Sequence, residues 1–213
     1  MAFKGGFLSV VSQGARITPR IWVWLLAAVW LAGITSGLWV VWAYDNRPGT
    51  DASAPRQWPA DATLVPATDR PTMLFAAHPQ CSCTRASVAE LGEVLARTSN
   101  HPKTYVLFLK PSTFEDGWEK TDLWRRAAAL PDVIVLRDDD GREARRFGIE
   151  TSGQTLLYDS RGTLIFRGGI TGSRGHAGDN AGEAALVTLL ARGQADRSET
   201  SVFGCPLFTP VER

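Results

Sequence analysis

At 213 residues the chain has room for one ordinary domain with accessory segments, not for two full-sized domains. A net charge of +1 and a charged fraction of 21% point to no nucleic-acid partner and exclude a disordered acidic chain. Three cysteines, Cys81, Cys83 and Cys205, are too few for a disulfide-stapled scaffold or a four-thiolate zinc site.

The charge is uneven. Residues 1–44 hold Lys4, Arg16 and Arg20 and no acid, so the remainder carries a small negative balance. Ile21 to Ala43 is an uncharged run of 23 residues. As a helix at about 1.5 Å per residue it spans roughly 35 Å, against about 30 Å of bilayer hydrocarbon. Five of the eight tryptophans lie in it, four of them near its ends, where amphipathic rings favour the membrane interface. A cleaved signal has a shorter apolar stretch of about 7–15 residues and a small-residue cleavage site, whereas this run is followed by Tyr44-Asp45-Asn46-Arg47. An uncleaved anchor is expected. The basic residues before it assign 1–20 to the cytoplasm and residues beyond 44 to the outer side, the periplasm of a bacterial inner membrane. That compartment is oxidising.

Residues 44–71 contain five of the twelve prolines and few large apolar groups, so an extended or disordered tether is expected between membrane and head. The head spans 72–192. Thr72–Ala77 and Thr104–Leu109 are apolar runs suited to buried strands, with shorter strands at Val133–Leu136, Thr155–Tyr158 and Thr163–Phe166. Between them, Arg85–Arg97 carries Val88, Leu91, Val94 and Leu95 on one helical stripe, and Glu119–Leu130 carries Leu123, Trp124, Ala127 and Leu130. Asp140–Phe147 reads as a helix capped by Asp140, and Asp159-Ser160-Arg161-Gly162 as a hairpin turn. Asn180 and Glu183 have capping-box spacing before a helix at Ala184–Ala191. The order β-α-β-α-β-α-β-β-α predicts an α/β fold, a central mixed sheet flanked by helices, mainly parallel with an antiparallel strand added by the terminal hairpin. Residues 193–213 form a tail that bears Cys205.

Chemistry concentrates where the first strand meets the first helix of the head, in His78-Pro79-Gln80-Cys81-Ser82-Cys83-Thr84-Arg85. A cysteine at a helix N-terminus faces orphan amide donors and the positive end of the helix dipole, which stabilises a thiolate. Arg85 and His78 are candidates to add positive charge. The Cys-x-Cys spacing allows a disulfide whose small ring restricts its dihedrals, and a strained disulfide is the more readily reduced.

The head resembles the thioredoxin-like superfamily in element order and in the position of this motif. More narrowly, HPQCSCTRAS, the stretch TSGQTLLYDSRGTLIFRGGITGSRGHAGDNAG and the late FGCPLF resemble the membrane-anchored thioredoxin-like proteins of the RedB type. The resemblance implies a thiol–disulfide exchange site at Cys81 and Cys83. The chain departs from the pattern in its Cys-x-Cys spacing and in Gln154, which stands where a thioredoxin has its cis-proline.

The segment Gly168–Gly182 is a second candidate site, a glycine-rich connection around Arg174, His176, Asp179 and Asn180 that is longer than the usual 4–6 or so residues. Asp138-Asp139-Asp140-Gly141 lacks the ligand spacing of a calcium loop and reads as a helix-start turn. Cys205, between Phe203 and Leu207, lies about a dozen residues beyond the last helix, a reach of tens of ångströms. It is therefore a candidate resolving cysteine for Cys81 or Cys83, beside the alternative of an idle terminus. Two function classes follow. One is a thiol–disulfide oxidoreductase acting on protein thiols or disulfides in the periplasm, without a cofactor. The other is a copper-binding or respiratory-complex assembly module, with His78, Cys81, Cys83 and His176 as metal donors.

Overall fold

The computed structural model describes residues 19–50 and 53–208. These fall into two units, one ending at Trp42 and the other starting at Ala43. The first holds all but the last three residues of helix α1, Pro19–Asp45, which includes the whole uncharged run and is long and apolar enough to cross a membrane. Proline suits its first position, where the missing N–H would have no helical partner. Its large side chains from Ile21 to Trp42 stay exposed, unlike those of a core helix. Lys4 and Arg16, on which the expected orientation depends, lie outside the described residues.

The second unit is built on five strands: β1 Thr72–Ala77, β2 Lys103–Lys110, β3 Val133–Asp139, β4 Gln154–Tyr158 and β5 Leu164–Gly169. Helices α2 Ser82–Ala96, α3 Asp122–Ala128, α4 Arg142–Arg146 and α5 Ala181–Arg192 connect or follow them. Sheet order is β3-β2-β1-β4-β5. β1, β2 and β3 run parallel, whereas β4 is antiparallel to β1 and β5 to β4, so the sheet is mixed as expected, with the antiparallel pairing already beginning at β4. Side chains alternate between its faces with the period of two that a pleated strand imposes. Met73, Phe75, Val106, Phe108 and Leu157 point to one core with Leu91, Leu95, Leu123, Leu186 and Leu190 of the helices. Leu74, Ala76, Tyr105, Leu107 and Leu156 point to the other.

That second core overturns the expectation of a free tether. Ala54 and Leu64 are buried in it, and Trp58 packs edge-on against Phe147 and Tyr158, with ring centroids 4.8 and 5.1 Å away. The backbone is held as well: Trp58 N donates to Gly162 O, Leu164 N to Arg56 O, and the Tyr105 and Tyr158 hydroxyls donate to the carbonyls of Val65 and Pro55. Residues 53–71 are thus a strap on the open face of the sheet. Proline-rich composition signals a lack of regular structure, but not a lack of partners, because proline keeps its carbonyl as an acceptor.

Two local details differ from expectation. Helix α4 begins at Arg142, and its first amides are held by Asp138, whose carboxylate accepts from Glu143 N and Ala144 N at 2.9 Å, rather than by Asp140. At α5, Asn180 caps as expected, accepting from Gly182 N and Glu183 N, but the Glu183 carboxylate pairs with Arg97 instead of closing a capping box. Gly182 itself sits against β5, where an added Cβ would run into the Gly169 carbonyl oxygen. Gly182→Ala is therefore expected to lower stability by about 1–3 kcal/mol, as overpacking does. Helix propensity alone would raise it by up to about 1 kcal/mol. A denaturation midpoint that falls with unchanged slope is the expected sign; one that rises would show that the helix is free to move off β5.

Candidate functional site

Strand β1 ends at Ala77 and helix α2 starts at Ser82, so residues 78–81 turn the chain from the sheet onto the helix N-terminus. Cys81 is the N-cap residue, with extended backbone and no side-chain cap. The backbone N–H groups of Cys83 and Thr84 and the Thr84 hydroxyl lie near enough to its sulfur to favour the thiolate. The Thr84 hydroxyl lies 2.6 Å from Ser152 Oγ, which accepts from His78 N at 2.9 Å. Either hydroxyl of the Thr84–Ser152 pair can donate, and the pair links the His78 amide to the start of α2.

The tail completes the site. Ser152 N donates to Cys205 O at 2.9 Å and Leu207 N to Glu150 O at 2.8 Å, an antiparallel pairing centred on Thr151 and Pro206. Val202 and Leu207 are buried, and Arg145 lies 3.5 Å over the Phe208 ring. Gly204 has no alternative here, since a Cβ would collide with the Ser152 carbonyl oxygen. This docking delivers Cys205 Sγ to 2.6 Å from Cys81 Sγ. All three cysteine sulfurs lie within 4.8 Å of one another.

The shared proton belongs to Cys205. Its thiol donates to Cys81, and this bond, followed by the Thr84 and Cys83 donors, outweighs burial and pushes the Cys81 thiol down to about 4. The same bond raises the Cys205 thiol far above its ordinary value, with burial and the Cys81 charge adding to the effect. Burial, then the neighbouring Cys81 charge, also raises Cys83. In the reduced chain these shifts favour ionisation at Cys81 over Cys83 and Cys205.

The other expected site residues fall elsewhere. Arg85 points away to Asp122, 2.7 Å from its carboxylate. His78 sits edge-on to Trp118 with Nδ1 accepting from Gln80 N, and burial lowers its imidazole below the ordinary value, so it adds no cation. Gln154 is buried with its side chain turned to the preceding loop, accepting from Glu150 N and donating to Gly148 O. His176 is exposed and bonds to the Arg174 carbonyl. Neither it nor His78 is in the sulfur cluster. The glycine-rich segment reaches the site through Arg174, whose guanidinium donates to Gly204 O at 2.5 Å and to Arg47 O at 3.1 Å and whose charge bears on Cys83. The buried Glu90 carboxylate holds that segment in place by accepting from Gly178 N and Asn180 Nδ2. Thr84, Ser152 and the working role of Arg174 carry no motif of their own; they become visible only when β4, α2 and the tail are brought together.

No protein-family model matches the chain, and no curated protein matches it. Among solved structures it is similar to an uncharacterized conserved protein from Geobacillus kaustophilus, with 14% identity over 78% of this chain and 95% of that one and a TM-score of 0.54. It is also similar to a hypothetical protein from Sinorhizobium meliloti 1021, with 16% identity, 76% and 93% coverage and a TM-score of 0.49. The exposed lipoprotein thioredoxin Etrx1 of Streptococcus pneumoniae strain TIGR4 matches with 17% identity, 64% and 98% coverage and a TM-score of 0.42. At 14% identity the first of these likenesses is one of fold alone. The mixed five-stranded sheet, its flanking helices and the cysteine-led helix after β1 make that fold thioredoxin-like.

Proposed function

We propose that the chain is a membrane-anchored, periplasmic thiol–disulfide exchange protein in which Cys81 attacks and Cys205 resolves. The observation that carries the reading is the Cys81 sulfur held at the N-terminus of α2 with the Cys205 sulfur 2.6 Å away. The apolar helix α1 and the basic residues before it support the anchor and its orientation.

Cys81 thiolate attacks one sulfur of a partner disulfide; the S–S bond breaks, the other partner sulfur leaves as thiolate, and a mixed disulfide forms. Cys81 then has no charge and no longer accepts the Cys205 proton. Two of the causes that hold the Cys205 thiol protonated disappear together. Cys205 loses its proton, attacks Cys81 Sγ and closes a Cys81–Cys205 disulfide, while the second partner sulfur leaves and is protonated. The pair loses two electrons and the one proton it held on Cys205, and the partner gains the two electrons, with its second proton drawn from solvent; the reverse sequence oxidises a partner dithiol. Cys83, neutral and adjacent, offers a second route to resolution through the shorter Cys81–Cys83 ring.

The test uses the full chain in detergent micelles with a chromogenic aromatic disulfide. Cys81→Ser is expected to reduce exchange to the rate of the buffer, whereas Cys205→Ser combined with Cys83→Ser, which closes both routes to resolution, is expected to trap a mixed disulfide on Cys81 that peptide mapping detects. Equal rates for Cys81→Ser and the parent chain would overturn the reading.

A further inference from the structure

Three sulfurs that face one another within 4.8 Å have a second chemistry besides exchange. Cys81 and Cys83 are buried and Cys205 is half-buried, so a group among them is shielded from water. No carboxylate or imidazole of the described residues belongs to the cluster. A set of thiolates alone is a soft donor set, and hard cations that demand oxygen have nothing to bind. A structural zinc ion wants four donors, and this cluster offers three. A monovalent d10 ion is satisfied by three sulfurs.

We infer that reduced Cys81, Cys83 and Cys205 form an all-thiolate Cu(I) site whose third ligand is carried by the C-terminal tail. This goes beyond disulfide exchange and replaces a histidine-containing donor set, because the His176 ring is committed to the Arg174 carbonyl and His78 lies outside the cluster. Three sulfurs around one ion at about 2.3 Å stand about 4 Å apart. Binding therefore parts Cys81 and Cys205 by little more than about 1 Å, with the Cys205 side chain giving way while Cys81 and Cys83 stay on the helix start. Three thiolates and one Cu(I) leave an excess of negative charge. The amides at the start of α2 and the Arg174 guanidinium, bonded to the carbonyl of Gly204 next to Cys205, face that excess.

Metal and disulfide are mutually exclusive in this arrangement. Closing the Cys81–Cys205 bond passes two electrons to a partner disulfide, releases the Cys205 proton and removes two of the three donors. An oxidised chain cannot hold the ion, so the redox state of the pair decides whether copper is kept or released.

The test is an anaerobic titration of the full chain in detergent micelles, reduced and freed of metal, with Cu(I) offered as its bicinchoninate complex. The expected result is withdrawal of one Cu(I) per chain, with X-ray absorption showing three sulfur neighbours and no nitrogen. Cys83→Ser and Cys205→Ser are each expected to weaken binding by at least about 100-fold, the scale of losing more than a supporting group. The oxidised parent chain is expected to take none. Unchanged thermal unfolding of both variants checks that the fold persists. The proposal falls if Cys205→Ser binds as tightly as the parent, which would mean a two-coordinate Cys81/Cys83 site, if the reduced parent leaves Cu(I) with bicinchoninate, or if it binds zinc in preference. Exchange is measured on the same preparations. Loss of copper binding with exchange intact refutes this inference alone, and loss of exchange with copper binding intact refutes only the exchange reading.

Discussion

Replacing Cys205 by serine is expected to change the reactivity of Cys81 in opposite directions on the two sides of neutrality. In the reduced, metal-free chain the Cys81 thiol is pushed down to about 4, and the first cause is the proton donated by Cys205. Serine at 205 removes the sulfur donor; the helix amides and Thr84 remain, and a helix-start cysteine without the extra donor sits at about 7. At pH 5 the thiolate fraction then falls by about 100-fold. A more basic thiolate is also the better nucleophile, by about 20-fold for three pK units at a Brønsted slope of about 0.4–0.5. Alkylation of Cys81 by iodoacetamide should therefore be about 5-fold slower than in the parent chain at pH 5 and about 20-fold faster at pH 8. The direction follows from the depressed value: a thiol that ionises at about 4 gains nothing more above pH 5, while its replacement goes on ionising up to neutrality. Cys83, whose thiol is raised, contributes little below pH 8, and peptide mapping separates it. Rates that change by the same factor at both pH values would show that Cys205 only shields Cys81 sterically.

Trp58→Ala is expected to cost the head about 3 kcal/mol, close to a 150-fold change in the folding equilibrium. The ring lies against Phe147 and Tyr158, and Nε1 donates to Leu64 O at 3.2 Å, so one truncation opens the gap between strap and sheet and orphans a carbonyl inside the strap. Each edge-on aromatic pair adds about 0.5–1.5 kcal/mol beyond buried area. Phe147→Ala, which empties the far side of the same contact at a fully buried position, should cost about 3–5 kcal/mol. Guanidinium unfolding followed by circular dichroism reads both. A loss below about 0.5 kcal/mol for Trp58→Ala, the range of an ordinary surface change, would return residues 53–71 to the status of a spacer.

Much of the head is legible in the chain itself. The run TMLFAA occupies β1 from Thr72 to Ala77 because an uninterrupted apolar hexapeptide has to be covered on both faces, which only a central strand allows. The stripe Val88, Leu91, Val94, Leu95 is buried in α2 as its spacing requires. The cysteine at the strand-to-helix turn is legible for the same reason: its neighbours specify a helix start, and a helix start has amides to spare. Arg85 is the instructive failure. One turn along α2 is near in sequence, but its direction is outward, and the nearest carboxylate, Asp122 of α3, takes it. The cation that reaches the sulfurs comes from Arg174, ninety residues away, on a glycine-rich segment whose path no local pattern specifies.

The amino-acid sequence by itself determines a long apolar helix, a thioredoxin-like succession of strands and helices, and the placement of Cys81 and Cys83 at a helix N-terminus, because these depend on periodicity, length and nearest neighbours. Only the tertiary structure decides that Cys81 meets Cys205 rather than acting with Cys83 alone, that Ser152 is brought to Thr84 at the start of α2, and that the proline-rich strap belongs to the core. Those outcomes depend on backbone groups that find partners far along the chain, Ser152 N with Cys205 O and Pro55 O with Tyr158 Oη among them. Every residue has a backbone N–H or C=O to offer, so composition carries no record of which one it meets.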